Sequence, residues 1–167
     1  MASWLPIKDT LLDMTIVHIP SPVLAQKYRT EIIYNGPDKN DPCAEAIKNC
    51  DPTGELMVFV SRMIPTADKR SFVAFGRVFS GTVVAGGATM VKIMGPDFDR
   101  ETQADVPMKS IEGSLLMMGN QMVPANEIEC GTLCGLTGSD QLLTGSGTIS
   151  THKDASNFHL HFSPAQP

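Results

Sequence analysis

Residues 72–87, FVAFGRVFSGTVVAGG, place the tightest limit on what this chain can fold into. The run is rich in the β-branched and aromatic residues that suit a pleated, half-buried surface. Successive side chains on a strand point to opposite faces. Phe72, Ala74 and Val78 then share one face, and Val73, Phe75, Arg77 and Phe79 share the other. Both faces are apolar apart from Arg77, so the strand has to lie between a core and a covering element. Gly76 and Gly81 mark positions where such a strand bulges or turns a barrel corner. An arginine between Phe75 and Phe79 is costly to bury alone, and its expected partner is Asp140 in the turn GSDQ.

The same texture runs from residue 53 to the end. Strand-like segments at 56–64, 71–84, 89–94, 108–118, 132–136, 148–150 and 158–162 are separated by PTADKR, AGG, GPDFD, GNQ, TGSD and TGSG, which are rich in turn formers. Short strands without long helices between them predict a mainly β fold, an antiparallel β-barrel, rather than alternating βαβ units. The first part of the chain reads differently. Apolar residues at 5, 11, 12, 14, 16 and 17 predict an amphipathic helix over 4–18, stopped by Pro20 and Pro22. PSPVLAQKYRTEIIYNGPDKNDP holds four prolines, which predicts an extended arm with a brief strand at 31–34. CAEAIKNCDP predicts one or two helical turns. The expected division is therefore 1–52, helix and extended arm, and 53–167, barrel.

Composition narrows the functional classes. A chain of 167 residues suits one domain with an attached arm, and 42% hydrophobic with 19% charged residues is a globular balance. No apolar stretch approaches the ~20 residues that span a bilayer, and the N-terminus shows no signal-peptide pattern, so a cytoplasmic protein without membrane contact is expected. A net charge of -5 argues against a surface that clings everywhere to nucleic acid, though not against a local basic patch. Cys43, Cys50, Cys130 and Cys134 lack C-x-x-C spacing, and buried, idle thiols are expected. His159 and His161 in FHLHF would share a strand face but have no third ligand near in sequence. Met90, Met94, Met108, Met117 and Met118 are read as filling an irregular core. No metal or cofactor is expected, and no Ser-His-Asp or Cys-His motif is legible.

Several longer segments carry a family likeness. HIPSPVLAQKYR (18–29), AIKNCDP (46–52), SRMIPTADK (61–69), AFGRVFSGTV (74–83), LLMMG (115–119) and GSDQLL with GTI (138–149) resemble eukaryotic elongation factor 2, in that order and at nearly that spacing. The likeness covers essentially the whole chain and is weakest after His152. It corresponds to one slice of a larger translational GTPase: the helix and arm leaving the nucleotide-binding region, then the second domain. The phosphate loop G-x-x-x-x-G-K-[ST] is not in these residues, so no GTP binding or hydrolysis by this chain is expected. The resemblance implies a β-barrel that braces the neighbouring GTPase domain and touches small-subunit ribosomal RNA during movement of tRNA and mRNA. It implies no catalytic residue in this slice.

Candidate contacts to RNA or to a neighbouring domain are Arg62, Lys69, Arg70, Arg77, Lys92 and Lys109, with Arg100 beside them. Lys69 and Arg70 come first, because a hairpin tip carries cations to a phosphate without disturbing a core. For Arg77 the stronger expectation is structural, a charge paired within the fold. Departures from the family weaken the RNA surface: Glu101, Thr102 and Gln103 replace a basic cluster, Ile111-Glu112-Gly113 and Met118-Gly119-Asn120 replace segments that end in arginine, and Gly145 stands where a lysine is usual. Each lost phosphate contact flattens the salt dependence of binding by about one unit of slope, so weak binding to the small subunit is expected. The alternative is a free-standing protein-interaction barrel that has lost RNA contact. Without its usual GTPase neighbour, the N-terminal helix is expected to fold back or to self-associate.

Overall fold

The computed structural model describes residues 7–34, 36, 41–66, 71–87, 89–96, 98, 106, 108–119, 121–138, 143 and 145–159. Three helices come first: α1 (Ile7–His18), α2 (Pro22–Ile33) and α3 (Pro42–Asn49). Ten strands follow: β1 (Met57–Pro65), β2 (Phe72–Ser80), β3 (Thr82–Val84), β4 (Met90–Met94), β5 (Met108–Ser110), β6 (Gly113–Met118), β7 (Gln121–Ala125), β8 (Glu127–Glu129), β9 (Leu133–Thr137) and β10 (Gly147–Ser150).

Eight strands make one antiparallel sheet in the order β5-β4-β10-β1-β2-β9-β6-β7, and β3 pairs with β8 as a separate ribbon. The sheet curls into a half-barrel, so the fold is mainly β as expected, with β5 and β7 left as edges. Curvature comes from two local devices. Val60 pairs with Gly76 but Arg62 with Phe75, so β1 bulges by one residue there. A side chain at 76 would strike the Phe59 carbonyl, which is why glycine faces the bulge. At the far end of β2, Gly81 adopts φ +73, and a Cβ there would lie 2.7 Å from the Leu56 Cα. The continuous strand expected over 71–84 therefore breaks at Gly81 into β2 and β3. The strand expected over 108–118 likewise breaks at Ile111 and Glu112, between an edge strand and β6. The segment expected at 158–162 enters as a single bridge between Phe158 and Tyr34, and residues 160–162 lie outside the described residues.

The alternation read in β2 separates two cores. Inside the curl pack Val58, Val60, Ala74, Val78, Val91, Ile93, Cys134, Leu136 and Ile149. On the outer face Met57, Phe79 and Met94 pack with Tyr34, Cys43 and Ile47 from the arm and with Ala155 and Phe158. The covering element that β2 required is thus α3 together with the segment after β10.

The extended arm is a correction. Residues 22–33 form α2 because Pro22 sits in the first turn, where its missing N–H and fixed φ cost nothing, and the residues after it are mostly good helix formers. The periodicity misled because the side chains α2 buries are polar, Gln26 and Thr30, while Val23, Leu24, Tyr28 and Ile32 are exposed. Gln26 Nε2 donates to the Ile47 carbonyl at 2.6 Å and to the Phe79 carbonyl at 2.7 Å, joining α2 to α3 and β2. The turns expected at CAEAIKNCDP are α3, capped by Asp41, which accepts from the Cys43 N–H at 3.0 Å. Tyr34 Oη donates to Asp41 Oδ2 at 2.8 Å and accepts from the Ser156 N–H at 3.2 Å.

Helix α1 buries none of its residues, so it does not fold back onto the half-barrel. Nor is it simply amphipathic. Ile7, Leu11 and Met14 form one stripe and Leu12 and Ile16 another, about 150° apart at 100° per residue. Among the described residues, no helix is long and apolar enough to cross a membrane.

Candidate functional site

Strand β2 sets the geometry of the candidate site. Phe75, Arg77 and Phe79 project from its outer face, and the bulge in β1 turns Arg62 to that same face opposite Phe75. The Phe79 carbonyl receives Gln26 from α2. Beyond it the outer face continues through Arg77, its cross-strand neighbour Leu133 on β9, and Leu115 opposite Gly135. Arg62 and Leu133 are exposed, Phe75, Arg77 and Leu115 half-buried, and Phe79 buried.

Arg77 is half-buried. Its Nη2 reaches the Gly131 carbonyl at 3.5 Å, and its guanidinium carbon lies 5.8 Å from the centre of the Phe79 ring. Its Nε is buried without a hydrogen-bond partner. Asp140, the expected partner, lies outside the described residues, and among the described residues no carboxylate pairs with Arg77. The ion pair formed there joins Lys48 and Glu31, at 3.9 Å on an exposed helical surface. That buried Nε lacks the acceptor that a guanidinium N–H calls for.

The other candidates are dispersed. Lys92 is only 4% exposed; its Nζ donates to the Lys153 carbonyl at 3.0 Å and sits 4.5 Å from the centre of the Phe98 ring. Its ammonium serves inside the fold, which corrects its reading as a surface cation. Lys109 is half-buried on the edge strand β5, separated from β1 in the sheet by β4 and β10. Lys69, Arg70 and Arg100 lie outside the described residues. The structure therefore puts Arg62 and Arg77 on one sheet face, and neither Lys92 nor Lys109 joins them.

Sequence reasoning missed two features. Gln26 was hidden because its partners are backbone carbonyls, which leave no residue-type signal. Cys50 and Cys130 stand 80 residues apart, yet their sulfurs lie 3.3 Å from each other. Spacing in sequence gives no sign of that meeting, since neither Cys43 with Cys50 nor Cys130 with Cys134 has C-x-x-C spacing. All four are free thiols. Burial pushes the Cys43 and Cys134 thiols up to about 12, so both are almost wholly protonated at neutral pH. Among the described residues no group of three or more His, Cys, Asp or Glu side chains is placed to hold a metal ion. His159 is exposed, and His161 lies outside the described residues. Arg62 and Arg77 thus share a sheet face with Phe75, Leu115 and Leu133. No protein-family model matches the chain.

Proposed function

We propose that this chain is the second-domain-like part of an elongation factor 2-type translational GTPase, bracing the GTPase domain and docking on small-subunit ribosomal RNA without catalysing a step itself. The observation that carries this reading is Arg77: a half-buried guanidinium without a carboxylate partner among the described residues, on one sheet face with the exposed Arg62. A phosphate offers the oxygen acceptors that such a fork takes. The resemblance of the segments quoted above names the RNA, and a curled sheet with a helical arm is compatible with it. Two cations make a small footprint, in keeping with a net charge of -5.

Co-sedimentation with purified small ribosomal subunits across rising salt tests the reading. Saturable binding that weakens with salt is expected, and Arg62→Ala and Arg77→Ala should each lower the slope of log K against log salt by about one unit. Absence of binding at low salt would sink it. Exposed apolar surface favours a second reading, a protein-interaction barrel: Met118, Met122, Val123 and Leu133 lie exposed on β6, β7 and β9. That reading predicts salt-insensitive association with a protein and none with the subunit.

A further inference from the structure

Three segments distant in sequence meet at one pair of sulfurs. Cys50 ends α3 in the left-handed conformation, at φ 50 and ψ 51. Cys130 follows β8, and its Sγ lies 3.3 Å from the Cys50 Sγ and 3.0 Å from the Cys50 carbonyl oxygen. Gly131 brings in the start of α2: a Cβ there would lie 3.0 Å from the Pro22 Cβ and 3.7 Å from the Cys50 Sγ. A disulfide has sulfurs about 2.05 Å apart, so the two sulfurs at 3.3 Å have roughly 1 Å to close. The other two thiols are held apart from this junction and from each other. Cys43 is sealed in the outer core and Cys134 in the inner one. Cys50 is buried and Cys130 half-buried, so Cys130 is the more accessible residue of the pair.

We propose that Cys50 and Cys130 form a thiol–disulfide site, oxidised by a low-molecular-weight disulfide of the glutathione class, whose bond fastens the helical arm to the half-barrel. The Cys130 thiolate attacks one sulfur of the reagent, the reagent's S–S bond breaks, and the departing thiolate takes the electron pair and then a proton. The Cys50 thiolate next attacks the Cys130 sulfur and expels the second small thiol. Two protein thiols are oxidised to one disulfide, and one small disulfide is reduced to two thiols. Burial, and then the neighbouring Cys50 thiol, push Cys130 up to about 12. The exchange is therefore slow at neutral pH and quickens about tenfold per pH unit as the thiolate fraction grows.

The test uses the full chain with oxidised glutathione at a pH of about 8.5, followed by acid quench, intact mass, tryptic mapping and melting. The expected product is a monomer about 2 Da lighter with residues 49–62 joined to 110–153, and fragmentation placing the link at Cys50 and Cys130. Its melting temperature should rise by roughly 10 °C for so long a closed loop, and return on reduction. Cys50→Ser should stop at a glutathione adduct on Cys130. An unchanged mass, a persistent adduct in the wild-type chain, a link through Cys43 or Cys134, or a cross-linked dimer would overturn the proposal. The wild-type map decides by itself if Cys50→Ser fails to fold.

Discussion

Gln26 spends its two amide N–H groups on the carbonyls of Ile47 and Phe79, and its own Oε1 is buried without a partner. The two gains outweigh the one loss, because two buried carbonyls would otherwise go without that donor. Gln26→Ala should lower unfolding stability by about 1–2 kcal/mol, read as a lower urea midpoint at unchanged m. The buried thiols make a second prediction at this scale. Cys43 and Cys134 are held near 12 in the fold by burial, while unfolded cysteines ionise from about 8.5. Above that pH the unfolded chain binds fewer protons than the folded one, so stability is full below about 8.5 and falls as pH rises toward 12. Tyr34, pushed above its ordinary range chiefly by burial, adds to the fall beyond about pH 10. Melting temperatures measured from pH 7 to 11 under reducing conditions should show that alkaline decline, and a flat profile would contradict it.

At the scale of elements, the arm and the strands were legible to different degrees. Period-two alternation announced β2 and its two buried faces correctly, because a strand between two cores has no polar side to hide. Segment α2 was read as extended because its buried stripe is Gln26 and Thr30 while Leu24 and Ile32 face outward. Hydropathy marks burial only where apolar contact does the holding, and here hydrogen bonds do it. Strands β7 and β8 escaped because their side chains are mostly exposed, leaving no alternation to count. The breaks at Gly81 and at Ile111 to Glu112 depend on where neighbouring strands cross, which alternation does not encode. Gly81→Ala would force a Cβ into the Leu56 backbone at a positive φ, at a cost of about 1–3 kcal/mol. Chemical denaturation checks it, and an unchanged midpoint would mean that the corner at residue 81 is not strained by a side chain.

For the whole molecule, the unresolved demand is the apolar surface of α1. Ile16 is 77% exposed and Ile7 68%, and two stripes on different sides of one helix call for cover from more than one direction. Sedimentation velocity across a concentration series should show association of the chain, and removal of residues 1–19 should abolish it while leaving the half-barrel's melting temperature within about 2 °C, since α1 buries nothing. A monomer at every concentration would leave α1 to a different protein.

From the sequence alone followed what side-chain chemistry and alternation dictate locally: a mainly β chain, a strand buried on both faces, glycines at its bends, and a short helix before Asp51. Tertiary structure decided what depends on distant parts of the chain meeting. It turned the arm into a helix held by Gln26, left Arg77 without a carboxylate partner among the described residues and on one sheet face with Arg62, withdrew Lys92 into the fold, and set Cys50 against Cys130. The physical reason is common to all four: each is set by the packing of segments far apart in the chain, which the spacing of residues along it does not encode.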